Sequence, residues 1–192
     1  MGRPKAALPL GPSGETVVAR VIRTLLDGGV PEVVVVAGAH SDAVRQAMPT
    51  GESRARLIEH PGWEQGQLST LLAGLDAIET PLVEAAMVMP VDVPMVLAST
   101  VAAVIDAWRR SRAPIVRPAL PSTLLRAGGP RHGHPVIFDR SIFAELRSAD
   151  PSVGAKAVFA AHADRVLNVE VMDQGAFQDI DTPEDYEKVL RF

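Results

Sequence analysis

Cysteine is absent from all 192 residues, which excludes disulfides, thiolate zinc sites and a cysteine nucleophile. Aromatic side chains make up only 4%, too few for the stacking platforms that hold single-stranded nucleic acid. Positive charge is not in excess. Lys and Arg number 19 against 23 Asp and Glu, for a formal charge of −4, so no general grip on a nucleic-acid backbone is expected. A small local phosphate site remains compatible with that balance. No apolar run approaches membrane-spanning length, and no positively charged segment leads into an apolar stretch at the amino terminus. A soluble cytoplasmic protein without a membrane partner is therefore expected. Three catalytic or binding signatures are missing as well: a Walker-type loop, a Gly-x-Ser-x-Gly elbow and a Gly-x-Gly-x-x-Gly fingerprint.

What is present is a hydrophobic content of 47%, enough for a substantial core in a single domain over residues 1–192. The first 118 residues alternate strand and helix. A helix is expected from about Glu15 to Leu26, stopping at Gly28-Gly29, then a buried strand at Val33 to Val36 and a helix from Ser41 to about Met48. A short strand at Arg56 to Ile58 precedes a helix at Leu68 to Ile78. A strand at Ala86 to Met89, a helix from Ser99 to about Trp108 and a strand at Ile115-Val116 complete the series. That spacing implies βαβ units and a mostly parallel sheet with helices on both faces, a three-layer Rossmann-like α/β fold. Beyond it, Ala119 to Gly133 reads as a loop, His134 to Phe138 as a strand, Ser141 to Leu146 and Gly154 to His162 as helices. Val166 to Val171 reads as an edge strand, and Pro183 opens a last helix over Glu184 to Leu190.

The run Ala-Ala-Met-Val-Met-Pro-Val-Asp-Val-Pro-Met, residues 85–95, carries the sharpest signal. Pro90 and Pro94 remove two backbone donors and fix φ on either side of Asp92. A carboxylate held rigidly beyond the carboxyl end of a strand stands where open α/β sheets bind ligands, although aspartate is also common in turns and caps. Other stretches combine charge with special backbone residues. Gly2, Arg3 and Lys5 could contact phosphate or form a solvated tail. Gly66 to Ser69 could offer amide donors at a helix start. Gly133-His134-Pro135 could shape a substrate pocket, or His134 could be structural. Asp179 and Asp181 share one face of an extended stretch, where one carboxylate could instead cap the final helix. Asp92 with Asp179 or Asp181 would suit Mg²⁺, which binds through one or two carboxylates plus waters and substrate phosphates. Such a constellation serves phosphoryl or nucleotidyl transfer.

Taken in order, these stretches resemble the molybdenum cofactor cytidylyltransferase group of the nucleotidyltransferase superfamily, from Met1 almost to the carboxyl end. The tail of that group's glycine loop appears as Met1-Gly2, Lys5, Leu8 and Pro9. Its Trp-x-x-Gly-x-x-Ser-x-x-x-x-Gly-Leu stretch is Trp63, Gly66, Ser69, Gly74 and Leu75. Its Pro-x-Asp-x-Pro is Pro90, Asp92 and Pro94, its Gly-His-Pro-Val is Gly133 to Val136, and its Asp-x-Asp-Thr-Pro-Glu-Asp is Asp179 to Asp185. The resemblance implies Mg²⁺ on Asp92 with Asp179 or Asp181, and a triphosphate on Gly2, Arg3 and Lys5. It further implies a base near Gly66 and Ser69, and a pterin near His134 and Pro135. The implied catalytic residues are Lys5 and Asp92, and the reaction is CMP transfer from CTP to molybdopterin cofactor with release of pyrophosphate. A molybdoenzyme or its chaperone would be a further partner.

The sequence departs from that pattern in places. His60 stands where Asn is frequent, and Val93 where Gln is common. The first, central strand and most of the glycine loop have no counterpart, so a sheet with a gap in its middle is expected. Met1 is then read as the internal Met of an Arg-Met-Gly signature. Use of GTP, transfer to another phosphorylated small molecule, a catalytically idle cofactor-binding module and a metal-free Rossmann-like binder are the alternatives.

Overall fold

The computed structural model describes residues 4–121, 123 and 132–190. Gly2, Arg3 and most of the expected 119–133 loop lie outside them. The chain opens with a helical turn at Lys5–Ala7 and a small antiparallel hairpin of β1 (Pro9–Leu10) and β2 (Glu15–Thr16). Glu15, expected to begin a helix, instead belongs to this hairpin and holds Arg20 and Arg23 with its carboxylate. The helix start passes to Thr16, whose hydroxyl accepts from the Ala19 amide at 3.2 Å. Helix α1 (Val17–Asp27) buries Val17, Val18, Val21, Ile22, Leu25 and Leu26, the stripe expected of one helical face.

There follow β3 (Val33–Ala37), α2 (Ser41–Ala47), β4 (Ala55–Glu59), α3 (Gln67–Ile78), β5 (Ala85–Val88), α4 (Ala98–Ser111) and β6 (Ile115–Ala119). Then come β7 (Val136–Asp139), α5 (Phe143–Ser148), α6 (Lys156–Ala161), β8 (Val166–Glu170) and α7 (Pro183–Val189). Gly154 stays outside α6 because its φ of +72° is not helical.

Among the described residues the strands form two main units. Strands β3 and β4 pair in parallel, and a four-stranded sheet runs β5-β7-β6-β8. The β6–β8 pair is parallel, whereas β7 is antiparallel to both neighbours. The mostly parallel expectation therefore holds for the β3/β4 and β6/β8 units but not around β7. The sequence between β6 and β7 carries no apolar stripe of helical period, whereas a parallel neighbour needs a crossover, usually a helix. Strand β8 ends the sheet, as its mixed composition suggested. Strand β5 also ends it and is partly buried, with Ala85 and Met87 packed against one cluster and Ala86 and Val88 against the other. No ladder joins β3 to β5, yet Val33, Val35 and Ala37 share one apolar cluster with Ala85 and Met87. The expected break in the sheet is thus present, and side-chain packing bridges it.

Helices cover both faces. Val101, Val104 and Trp108 of α4 join the α1 stripe in the first cluster, whereas Leu75 of α3 packs with Phe143, Leu146 and Val158 in the second. Alternation along a strand divides the two, with Val116 on the first side and Ile115 on the second. No helix of the described residues is long and apolar enough to cross a membrane.

Candidate active site

The site lies where β5 and β6 end and β7 begins. After β5 the chain turns through Pro90 and Pro94, with Asp92 half-buried just ahead of buried Val93. The tail crosses this turn. The Ile180 amide donates to the Asp92 carbonyl at 2.8 Å, and Ile180 is itself 2% exposed. Its exposed neighbours, Asp179 and Asp181, lie close enough to act electrostatically on the Asp92 carboxyl. Lys5, in the opening helical turn, reaches Asp181 with Nζ at 2.8 Å from Oδ1.

The charges here are not balanced. Burial pushes the Asp92 carboxyl above its ordinary range, and the neighbouring Asp179 carboxylate pushes it further. Lys5 pulls it down, and Asp181 adds a smaller upward push. Asp179 therefore acts on Asp92 more strongly than Asp181, which is paired with Lys5. His134 completes the group. Burial lowers its pKa, and the Asp179 and Asp92 carboxylates draw it back up, as does the Val88 backbone. Its Nδ1 is buried without a hydrogen-bond partner among the described residues. The histidine is positioned by its amide, which donates to the Ala176 carbonyl at 2.9 Å. Gly133 is required beside it, since a Cβ there would lie 2.1 Å from the Ala176 oxygen.

Gly66 and Ser69 form a separate turn at the start of α3. Gly66 has a φ of +99°, a conformation that suits glycine. The Ser69 hydroxyl sits 2.9 Å from the Gly66 carbonyl, 3.2 Å from that of Gly62 and 3.1 Å from His60 Nε2. A hydroxyl has one proton to donate, so when a carbonyl takes it the His60 ring must donate to the oxygen. Trp63 lies over Gly38 at the end of β3, where a Cβ would approach its ring within 2.6 Å. None of these hydrogen bonds reaches Lys5, Asp92, Asp179 or Asp181.

The structure thus brings Lys5, Asp92, Asp179, Asp181 and His134-Pro135 together and leaves Gly66 and Ser69 on their own turn. Gly2 and Arg3 lie outside the described residues. Among those residues no group of three or more His, Asp or Glu is placed to hold a metal, so a cation here would rely on two carboxylates. The donor chemistry fits that use, since carboxylate oxygens are the hard ligands a divalent ion such as Mg²⁺ takes.

Comparison with known proteins places this geometry in context. The chain is 29% identical over 192 residues to nicotine blue oxidoreductase of Paenarthrobacter nicotinovorans, covering 99% of this chain and 90% of that protein. The crystal structure of Rv0371c from Mycobacterium tuberculosis H37Rv superposes with a TM-score of 0.78 at 23% identity, covering 100% of this chain and 92% of that one. A complex of Rv0371c with manganese gives 25% identity and a TM-score of 0.72, with 100% and 94% covered. The MobA-like NTP transferase domain family matches residues 1–166, and the chain belongs to that family.

Proposed function

We propose that this chain transfers CMP from CTP to molybdenum cofactor, releasing pyrophosphate, with Asp92 and Asp179 as the residues that hold a divalent cation. The observation that carries the reading is the convergence of Asp92, Asp179, Lys5 and His134 at one end of the sheet. Mg²⁺ is the proposed ion, and the manganese complex of Rv0371c is the support from a relative. When bound, such an ion would supply charge neutralisation at the transferring phosphate.

The chain's own groups divide the remaining work. Lys5 exchanges Asp181 for the triphosphate and stabilises the departing pyrophosphate. That exchange is inexpensive, because an exposed ion pair contributes only about 0–1 kcal/mol. Gly66 and Ser69 present the α3 turn to the base, and Gly2 and Arg3 are proposed to extend the phosphate contacts. His134 stays neutral and offers its unpaired Nδ1 to a donor on the acceptor, with Pro135 walling that side. The acceptor's terminal phosphate oxygen attacks the α-phosphorus, and the bond to the bridging oxygen breaks with its electron pair leaving on pyrophosphate. In-line positioning and charge stabilisation supply the rate. GTP, or another phosphorylated acceptor, would use the same groups.

The test is pyrophosphate release by the purified chain with Mg²⁺, CTP or GTP, and cofactor. Release by the wild type that falls at least a hundredfold in Asp92→Ala is expected. No release above that variant with either nucleotide would refute transfer and leave an idle binding module. A second reading, an oxidoreductase activity, is favoured by the 29% likeness to nicotine blue oxidoreductase over 99% of this chain. It predicts redox turnover of nicotine blue that survives Asp92→Ala.

A further inference from the structure

One buried carboxylate near the site has no part in the chemistry above. Asp173 is 8% exposed. Its Oδ2 accepts from the Leu97 amide at 2.8 Å and from the Thr100 hydroxyl at 2.7 Å, and its Oδ1 accepts from the Gly175 amide at 3.0 Å. Both oxygens are therefore committed. Leu97 occupies the N-cap position of α4 and has no side-chain acceptor, so that helix start takes its cap from a residue far along the chain.

Downstream of Asp173 the backbone follows the Asp92 turn closely. Gly175 lies so near the Met95 carbonyl that a Cβ would sit 2.0 Å from its oxygen. Ala176 accepts from the His134 amide, Ile180 donates to the Asp92 carbonyl, and Asp181 reaches Lys5. Asp173 begins this series and is its most buried polar member.

We infer that Asp173 is a positioning residue: by fixing residues 173–181 against the Asp92–Leu97 turn, it sets the separation of Asp92 and Asp179 and hence their affinity for a divalent cation. This rests on the cation reading of that pair. The residue type follows from its partners. All three are donors, so an asparagine would turn its own NH₂ toward either Gly175 or the Leu97–Thr100 pair. Released from that hold, two carboxylates that repel each other would move apart, and the cation would lose its second protein ligand.

The test uses Mn²⁺ as probe, with free ion measured by electron paramagnetic resonance on the full chain and hydrogen exchange at the Ile180 amide. Asp92→Asn is the control without the ligand. Asp173→Asn should weaken Mn²⁺ binding about tenfold, the lower end of what loss of outer-shell support costs, and should speed Ile180 exchange. Thr100→Val, which removes one donor at nearly constant volume, should show both effects to a smaller degree. Thr100→Ser should restore both, and this pair carries the test if Asp173→Asn does not fold. Wild-type binding that is unchanged in Asp173→Asn and Thr100→Val overturns the inference alone. Weaker binding with unchanged Ile180 exchange overturns it too, because the effect would not run through the segment. Absence of Mn²⁺ binding by the wild type overturns the cation reading and this inference with it.

Discussion

Replacing Gly175 by alanine tests how tightly the tail is seated on the site. The added Cβ would lie 2.0 Å from the Met95 oxygen and 2.5 Å from its carbonyl carbon, both backbone atoms. Neither can rotate away as a side chain would, so the two segments must separate by more than an ångström. Overpacking of this kind costs about 1–3 kcal/mol. The separation also breaks the bond from the Gly175 amide to Asp173 and strains the one from Ile180 to Asp92. Each such bond contributes roughly 1 kcal/mol net, for a combined loss of about 2–5 kcal/mol. In a chain of this size that lowers the melting midpoint by roughly 4–20 °C. The control is Gly51→Ala. Gly51 has a φ of +81° but nothing within 4 Å of a Cβ, so it should lose only the left-handed backbone cost of about 1–2 kcal/mol. Urea unfolding followed by circular dichroism, with equal slopes for the three proteins, gives the comparison. A Gly175→Ala variant no less stable than Gly51→Ala would show that the tail is not fixed against Met95.

Two further outcomes follow from the electrostatics. Asp92→Asn should raise the melting midpoint in metal-free buffer at neutral pH while abolishing nucleotide-dependent pyrophosphate release. Burial and Asp179 raise the folded pKa of Asp92 above 3.8, so the folded state holds that proton more tightly than the unfolded chain does. Its contribution to stability is fully present below pH 3.8 and falls as pH rises through the shifted value, a decline the variant should lack. Asp185 has the opposite sign. Thr182, foremost, with Lys188 holds it at about 2, so its contribution is present above pH 3.8 and is lost as pH falls toward 2. Thr182→Ala removes the reciprocal cap at the start of α7 and should return the Asp185 titration, followed by NMR, toward 3.8.

Much of the fold was legible because period and punctuation agree over the first 118 residues. Val17, Val21 and Leu25 repeat at helical spacing before Gly28, and short apolar runs such as Val33 to Val36 alternate with such helices. The antiparallel course of β7 was less visible, since it depends on what is missing between β6 and β7 rather than on anything in Val136–Asp139 itself. At the site, Asp92 stood out through its flanking prolines and His134 through the glycine before it. The division of labour between Asp179 and Asp181 was not readable, because residues two apart are equivalent in an extended strand. Only the Ile180–Asp92 bond and the reach of Lys5 make them different. Asp173 carried no motif at all. Its one sequence signal was indirect: Pro-Met-Val-Leu ahead of α4 offers no polar side chain to cap the helix, so an acceptor had to come from elsewhere.

How the site holds together follows from where each attraction lies. Asp92 and Asp179 repel each other, and the obvious counterweight, Lys5 to Asp181, is too exposed to contribute much: their side chains are 35% and 68% accessible. What opposes the repulsion is uncharged or buried. Ile180 is buried, its amide is bonded to the Asp92 carbonyl, and Asp173 is enclosed by three donors. The amino segment is tied to the same tail by packing of Leu8, Leu10 and Val17 against Tyr186 and Val189. This arrangement has a functional consequence. On the proposed reading, Lys5 would leave Asp181 for a phosphate without loosening the site, because it is not needed to keep the carboxylates in place. Had the ion pair been the main tie, the proposed exchange would release the acidic residues as the nucleotide bound.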